Sequence, residues 1–419
     1  MKQHYDELET RDPAQREAAL LAALPVQIGH AQARSSAMAQ ALHGIDGAAV
    51  RTRADLALLP VTRKQALFER QKAARAAGGD AFGGYSTLAY GPAMPRLFAS
   101  PGPIYEPEGR AADYWRMARA IFAAGFRAGE LIHNSFSYHF TPAGSMMESG
   151  AHAVGCSVFA AGVGQTEQQV AALQDLQPAG YIGTPSFLKI IVEKAAESGI
   201  TFPSVKKALV TGEACPPSLR DWLAARGIAA YQCYATADVG LIAYETVARE
   251  GLVLDEHVIL EIVRPGTGDP VPAGEVGEVV ITSLNPDYPL IRFGTGDLSA
   301  VLPGICPTGR TNTRIRGWMG RADQTTKIRG MFVHPKQVDD IAKRFPEVLR
   351  ARLVVQGEMA NDVMILKVEV HDTEAAQALR PQIAQAVRDV TKLRGDIELC
   401  ASGSLPNDGK VIEDARSYA

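Results

Sequence analysis

The sequence of 419 residues predicts a layered α/β fold: a large multi-layer N-terminal domain with a β subdomain, followed by a small α+β C-terminal domain. Three observations predict it. From about residue 110 to 232, helical patterns alternate with short apolar runs, as buried strands between covering helices do. Near residue 252 the text turns β-rich between Pro/Gly turns. After Trp318 a last stretch mixes helices and strands over a length typical of a separate domain. A chain of this length is expected to form two or three domains.

The elements follow in order. Asp12 to Leu24 reads as a helix, with Ala and Leu recurring among charged positions. Gly83 to Glu108, rich in Gly and Pro, reads mostly as turns. Tyr114 to Ala124 is helical and Ser157 to Ala161 strand-like. The most apolar stretch, Ala151 to Val163, reads as a core strand, because it is too short for a membrane span and contains His152 and Ser157. Thr166 to Leu176 is helical, with Thr166 and Gln169 spaced as a capping box. Ala179 to Ile182, Lys207 to Val210 and Ile228 to Gln232 read as short buried strands. Val258 to Val263, Gly277 to Thr282 and Leu298 to Leu302 read as β, separated by Pro265-Gly266 and Pro272-Ala273-Gly274. The last unit holds a helix from Pro335 to Phe345, strands at Arg352 to Val355 and Val363 to Val370, and a helix from Glu374 to Thr391. A strand, Ile397 to Ser402, and a loop, Leu405 to Gly409, close it. The domains are placed at 1–322, with the β subdomain over about 252–317, and at 323–419.

Composition narrows the function classes. Lys plus Arg total 43 against 46 Asp plus Glu, a net charge of -3. That balance argues against nucleic acid or an anionic membrane surface as the main partner. The N-terminus mixes Lys2, Asp6, Glu7, Glu9 and Arg11 and lacks the basic-then-apolar order of a signal peptide. Five scattered cysteines without a CxxC spacing indicate neither a disulfide framework nor a self-contained zinc module. A soluble, cytoplasmic protein is expected.

Four segments carry candidate chemistry. Tyr231-Gln-Cys-Tyr-Ala-Thr-Ala-Asp238 runs a strand into a small-residue turn, offering a ring for a flat ligand and a carboxylate for Mg²⁺ or a hydroxyl. Arg292-Phe-Gly-Thr-Gly-Asp297 bends at two glycines and presents an Asp suited to a ribose diol. Gly320 to Gly330 is dense in cations and turn residues, and Pro406-Asn-Asp-Gly-Lys410 sets a lysine on a loop tip. Taken singly, each reads as readily as a turn cap, a core aromatic or a solvated surface charge.

Together, with Leu59-Pro-Val-Thr-Arg-Lys64, Gly164-Gln-Thr-Glu167, Gly183-Thr-Pro-Ser186, Gly212-Glu213, Glu256-His257 and Gly277-Glu278, these segments resemble the phenylacetate–CoA ligase family of adenylate-forming enzymes, within the acyl-CoA synthetases. The likeness spans Leu59 to Arg416. It implies an acid–thiol ligase that activates an aryl or small organic acid as acyl-AMP and passes it to coenzyme A, using ATP and Mg²⁺. It also implies site roles: Glu213 and Tyr234 at the adenine, Asp238 at Mg²⁺, Asp297 on the ribose hydroxyls and Arg321 near phosphate or ribose. Asp323 falls at the hinge of a mobile C-terminal domain, and Lys410 at the catalytic lysine. Tyr138 and Phe140 fall in the acyl pocket. A homodimer is the expected assembly.

One departure is large. Where the family has a Ser/Thr/Gly-rich phosphate loop ending in Gly-Lys, this chain has Ala99-Ser-Pro-Gly-Pro-Ile-Tyr-Glu-Pro107. Only Ser100 and Gly102 match. Pro101 and Pro103 remove N–H donors, and Glu106 replaces the cation by an anion, which repels a polyphosphate. Smaller changes are Ala237 for a hydroxyl, Asp238 for the longer Glu, and Cys306-Pro-Thr-Gly309 where some relatives carry a zinc-binding Cys-Pro-Cys-Gly run, so no structural zinc is expected. A second reading therefore stays open: a protein of this fold with altered or lost ATP use, acting as acyltransferase or hydrolase on preactivated acyl groups, or a noncatalytic binder.

Overall fold

A computed structural model describes residues 3–322, 324, 326–357, 361–406 and 410–416. The chain divides into two compact units, Met1–Met319 and Gly320–Ala419.

The first unit is built on a nine-stranded sheet. Five strands are parallel: Ser157–Ala160 at the edge, then Leu131–Asn134, Gly180–Gly183, Lys207–Val210 and Ala229–Thr236. Four more, Gly240–Glu245, Leu252–Leu254, Arg314–Ile315 and Val301–Leu302, extend it antiparallel. Strands Leu131–Asn134, Gly180–Gly183 and Lys207–Val210 are almost wholly buried because both faces are covered. Helices Ala143–Val154, Thr166–Leu176, Pro185–Glu197 and Pro217–Ala224 connect them. Ile132, Ile182, Leu209, Leu241 and Tyr244 pack with Trp115, Met117, Ile121 and Phe126 in one core.

A second, four-stranded sheet joins Thr62–Arg63, Phe293–Ser299, Gly277–Ser283 and Val258–Val263 in that order. The short first strand pairs parallel with the second, and the others are antiparallel. Ile259, Val279, Ile281 and Phe293 of this sheet share a core with Leu20, Leu24 and Ile28 of helix Pro13–Arg34. That helix starts where Asp12 accepts the N–H groups of Ala14 and Gln15, with Pro13 at its first position. Buried ion pairs lock the N-terminal segment down: Arg16 on Glu256 at 2.9 Å, and Arg310 on Glu9 at 2.6 Å.

The second unit has its own core of Ile328, Val338, Ile341, Leu353, Val355, Leu366, Val368, Ile383 and Val387. A four-stranded sheet orders Asp396–Ala401, Val363–Val370, Val348–Gln356 and Ile412–Asp414, backed by helices Pro335–Ala342 and Arg380–Thr391, with a small hairpin of Thr326–Ile328 and Met331–Val333. This is the α+β arrangement expected. Among the described residues, no helix is long and apolar enough to cross a membrane.

Several local expectations are corrected. Residues 83–108 are not mostly turns: Arg96–Ser100 and Ile104–Glu108 form a hairpin with Ser100 opposite Ile104. Its strands are only five residues each, too short for periodicity to stand out beside five nearby prolines. Ala151–Val154 is the end of a helix, not a strand. Gly155, at φ 93°, stops it and lets Ser157–Ala160 begin. The expected helix at Tyr114 starts only at Ala118, where Asp113 accepts the N–H groups of Met117 and Ala118. No capping box forms at Thr166. Gln169 instead donates to the carbonyls of Gly162 and Gly164 and pairs with His133, and the cap position is Gln165 in a left-handed conformation. The β-rich stretch 252–317 is divided between the two sheets rather than forming one of its own.

Candidate active site

Two sheets bring a tyrosine and an aspartate together. Tyr234 lies near the C-terminal end of strand Ala229–Thr236, the end at which open parallel sheets hold ligands. Asp297 lies on strand Phe293–Ser299 of the other sheet. Tyr234 OH donates to Asp297 Oδ2 at 2.7 Å and lies 3.1 Å from Thr295 Oγ1. Trp318 Nε1 donates to Asp297 Oδ1 at 3.2 Å. Each carboxylate oxygen is thus aimed by a donor, and a carboxylate accepts only. The residue is 8% exposed, so its hydrogen bonds are little weakened by water. Such a group suits a vicinal diol. Gly296, at φ 74°, makes the bend that presents it, a conformation any side chain would resist. At the strand's start Arg292 is fully buried, donating to Glu261 through Nε and Nη2 and to the carbonyls of Ala57, Leu59 and Gly268.

A second cluster sits where the hairpin meets the turn after strand Ala229–Thr236. Asp238 is buried; Lys64 Nζ donates to its Oδ2 at 2.7 Å, while its Oδ1 is buried without a hydrogen-bond partner. A lone buried carboxylate oxygen fits a hard cation such as Mg²⁺, which takes only one or two carboxylates and keeps several waters. On the hairpin, Glu106 is 0% exposed and faces inward, accepting the N–H of Ser100 at 3.2 Å and its hydroxyl. Burial, and then the nearby Asp238 charge, push the Glu106 pKa well above the usual carboxylate value. The expectation that Glu106 stands as an anion toward a polyphosphate gives way: it is turned into the protein and held toward its protonated form. Gly102 is exposed at the hairpin tip.

The remaining candidates are spread out. Glu213 is exposed, and its Oε1 accepts the Ser186 N–H at 2.8 Å, at the positive end of helix Pro185–Glu197. Tyr138 is half-buried and its hydroxyl accepts from Asn134 Nδ2 at 2.8 Å. Burial and the neighbouring Glu148 push its phenol pKa up. Phe140 is 78% exposed at φ 60°, and its carbonyl accepts the Ala99 N–H of the hairpin. Arg321 and Lys410 belong to the second unit. There Lys410 is exposed, just before Val411 and Ile412, whose N–H groups donate to Gln324 Oε1. Asp323 lies outside the described residues.

Sequence reasoning missed Thr295, Trp318 and the role of Lys64. Thr295 and Lys64 sit inside segments already singled out; for Trp318 the only signal is its place before Gly320-Arg321. Cys306 lies 3.4 Å from Thr246 Oγ1 and 3.1 Å from Thr308 Oγ1. Among the described residues no group of three or more His, Cys, Asp or Glu is placed to hold a metal.

A profile of AMP-binding enzymes matches residues 115–285, and one of the AMP-binding enzyme C-terminal domain matches 330–414. Over 317 residues the chain is 31% identical to the phenylacetate-coenzyme A ligase of Thermus thermophilus, covering 69% of this chain and 71% of that one. The chain belongs to the phenylacetate–CoA ligase family of adenylate-forming enzymes. The family's enzyme from Pseudomonas putida is 33% identical over 313 residues, 70% of each chain. By class, a member of this family is an ATP-dependent acyl-CoA ligase. Among solved structures, a 2-hydroxyisobutyryl-CoA ligase with 2-HIB-AMP and CoA has the same fold, with a TM-score of 0.83 and 24% identity, over 100% of this chain and 93% of that one. An amide bond synthetase from Marinactinospora thermotolerans is more distant, with a TM-score of 0.54 over 75% of this chain and 66% of that one.

Proposed function

We propose that this enzyme joins a small organic acid, with an aryl acid as the first candidate, to coenzyme A through an acyl-adenylate. The observation that carries this reading is the pair Tyr234–Asp297, held 2.7 Å apart at the ligand end of the parallel sheet, with the orphaned Asp238 oxygen on the same strand's turn. In this reading the Tyr234 ring lies against adenine, Glu213 serves its edge, and Asp297 accepts the ribose hydroxyls. Arg321 approaches phosphate or ribose. Asp238 holds Mg²⁺, which when bound neutralises phosphate charge. Tyr138 and Phe140 border the acyl group.

The chemistry proceeds in two displacements. A carboxylate oxygen attacks the α-phosphorus of ATP, the bond to the β-phosphate oxygen breaks, and pyrophosphate leaves. The barrier is repulsion between two anions, and Lys410 lowers it by standing between them. The CoA thiol, losing its proton, then attacks the acyl carbon and AMP leaves with the bonding pair. Asp323 is the hinge about which the second unit turns between the steps. A cytoplasmic homodimer is the matching assembly, checked by light scattering of the purified protein. Incubation with ATP, CoA and a panel of aryl and short hydroxy acids tests the reaction. Acid-dependent release of AMP and pyrophosphate is expected, and its absence beside a working ligase refutes it.

The hairpin favours a second reading. Pro101 and Pro103 offer no N–H, and residues 97–107 contain no cation. A transferase or hydrolase of preactivated acyl groups, or a noncatalytic binder, would be raised in melting temperature by AMP or acyl-CoA and not by MgATP. Stronger stabilisation by MgATP excludes it.

A further inference from the structure

The two features read from the sequence as belonging to the phosphate side, the altered loop 99–107 and Asp238, meet in the fold at a third residue. Lys64 opens helix Lys64–Ala76 and reaches Asp238 Oδ2 at 2.7 Å. Its side chain is 35% exposed, whereas that of Asp238 is 0% exposed, so the ammonium stands between the buried carboxylate and water. The hairpin beside it supplies no cation: Glu106 faces inward on Ser100, and Arg96 is engaged by Glu108 at 2.8 Å and Ser145 at 3.1 Å.

From this geometry we infer that Lys64 is a phosphate ligand, contacting the β- and γ-phosphates of ATP and the departing pyrophosphate in place of the missing loop lysine. The inference rests on the nucleotide reading of Asp238 given above. An ammonium's three donors let it serve a carboxylate and a phosphate oxygen together. Asp238 anchors it from below, and because Lys64 takes Oδ2, the other oxygen stays open to a cation. Lys64 sits on the first unit with Asp238, and Lys410 belongs to the second.

Calorimetric titration of the full chain with MgATP, magnesium pyrophosphate and AMP separates these roles. Lys64→Ala is expected to weaken MgATP and magnesium pyrophosphate by roughly 10- to 100-fold, the range for one charge-assisted contact, and AMP by less than about twofold. Lys64→Arg recovers most of the loss. If the alanine variant lowers the melting temperature, Lys64→Gln supplies the same contrast. Equal weakening of AMP and MgATP, or unchanged MgATP binding, overturns the inference, as does a wild-type protein that binds neither MgATP nor pyrophosphate. A wild-type protein that binds MgATP through Lys64 yet forms no acyl-adenylate refutes the ligase reading and leaves this one standing. Acyl-adenylate formation with Lys64-independent MgATP binding does the reverse.

Discussion

Replacing Asp297 by Asn tests the nucleotide site at its most ordered point. The carboxylate receives Tyr234 OH on Oδ2 and Trp318 Nε1 on Oδ1. An amide has one acceptor oxygen, and the indole N–H can only donate, so Oδ1 of the new side chain must stay on Trp318. Its NH₂ group then faces Tyr234, whose hydroxyl can turn to accept. The fold therefore survives at a cost of about 1 kcal/mol, a fall of a few degrees in melting temperature. Nucleotide binding loses more. The ribose diol gives up two charge-assisted hydrogen bonds, of about 1.5–3 kcal/mol each, and regains at most one neutral one. A net loss of about 2–4 kcal/mol weakens AMP by some 30- to 1,000-fold. Titration calorimetry with AMP reads the affinity and a thermal melt reads the fold. An Asn variant with an unchanged melt and AMP affinity within about threefold of wild type would show that Asp297 does not hold the ribose.

Three further outcomes follow from other parts of the molecule. Lys410→Ala is expected to slow acyl-adenylate formation by about 10²- to 10³-fold, measured by pyrophosphate exchange, without moving the melt, since the residue is exposed; full exchange activity would remove it from the mechanism. Arg292→Met strands the buried Glu261 carboxylate and frees three carbonyls, so the urea midpoint should fall by an amount equivalent to about 3–5 kcal/mol, and an unchanged midpoint would contradict the burial argument. Burial pushes the Asp255 pKa up, yet Arg116 and Arg119 at 2.8 and 3.0 Å hold it below the usual carboxylate value. That stabilisation is present above the unfolded-state pKa, near 4, and disappears as pH falls through the lower folded-state value. Asp255→Asn should destabilise the protein at pH 7 and flatten the decline of its unfolding free energy below about pH 5; a parallel decline in both proteins would refute the assignment.

The architecture was legible where apolar runs or helical spacing stood clear of prolines. Strands such as Lys207–Val210, Val258–Val263 and Val363–Val370, and helix Thr166–Leu176, lie where short apolar runs and helical spacing place them. The hairpin at 96–108 was hidden because its stability comes from pairing and from Glu106 clasping Ser100, neither of which leaves a repeat in the text. The same contact explains why Glu106 was misread. A charge type is visible in a sequence, but the direction in which a short strand points it is not, and here one residue of register decides between facing phosphate and facing the core. The capping box at Thr166 failed for a related reason, since Gln169 had better partners in distant carbonyls and His133. Resemblance named Tyr234, Asp238 and Asp297. It was silent on the role of Lys64 and on Trp318, whose use depends on side-chain reach across segments far apart in the chain.

The clamp on the N-terminal segment carries a consequence for synthesis. Glu9 closes onto Arg310 across 301 residues, and helix Pro13–Arg34 lays Leu20, Leu24 and Ile28 on strands that the ribosome has yet to make. At about 5–20 residues per second, roughly 15–60 s separate the emergence of the two ends of that contact. Throughout the interval the greasy side of the first helix has no native surface to cover it. A nascent chain stalled before residue 258 should engage a holdase that releases it once residues 258–299 have left the exit tunnel.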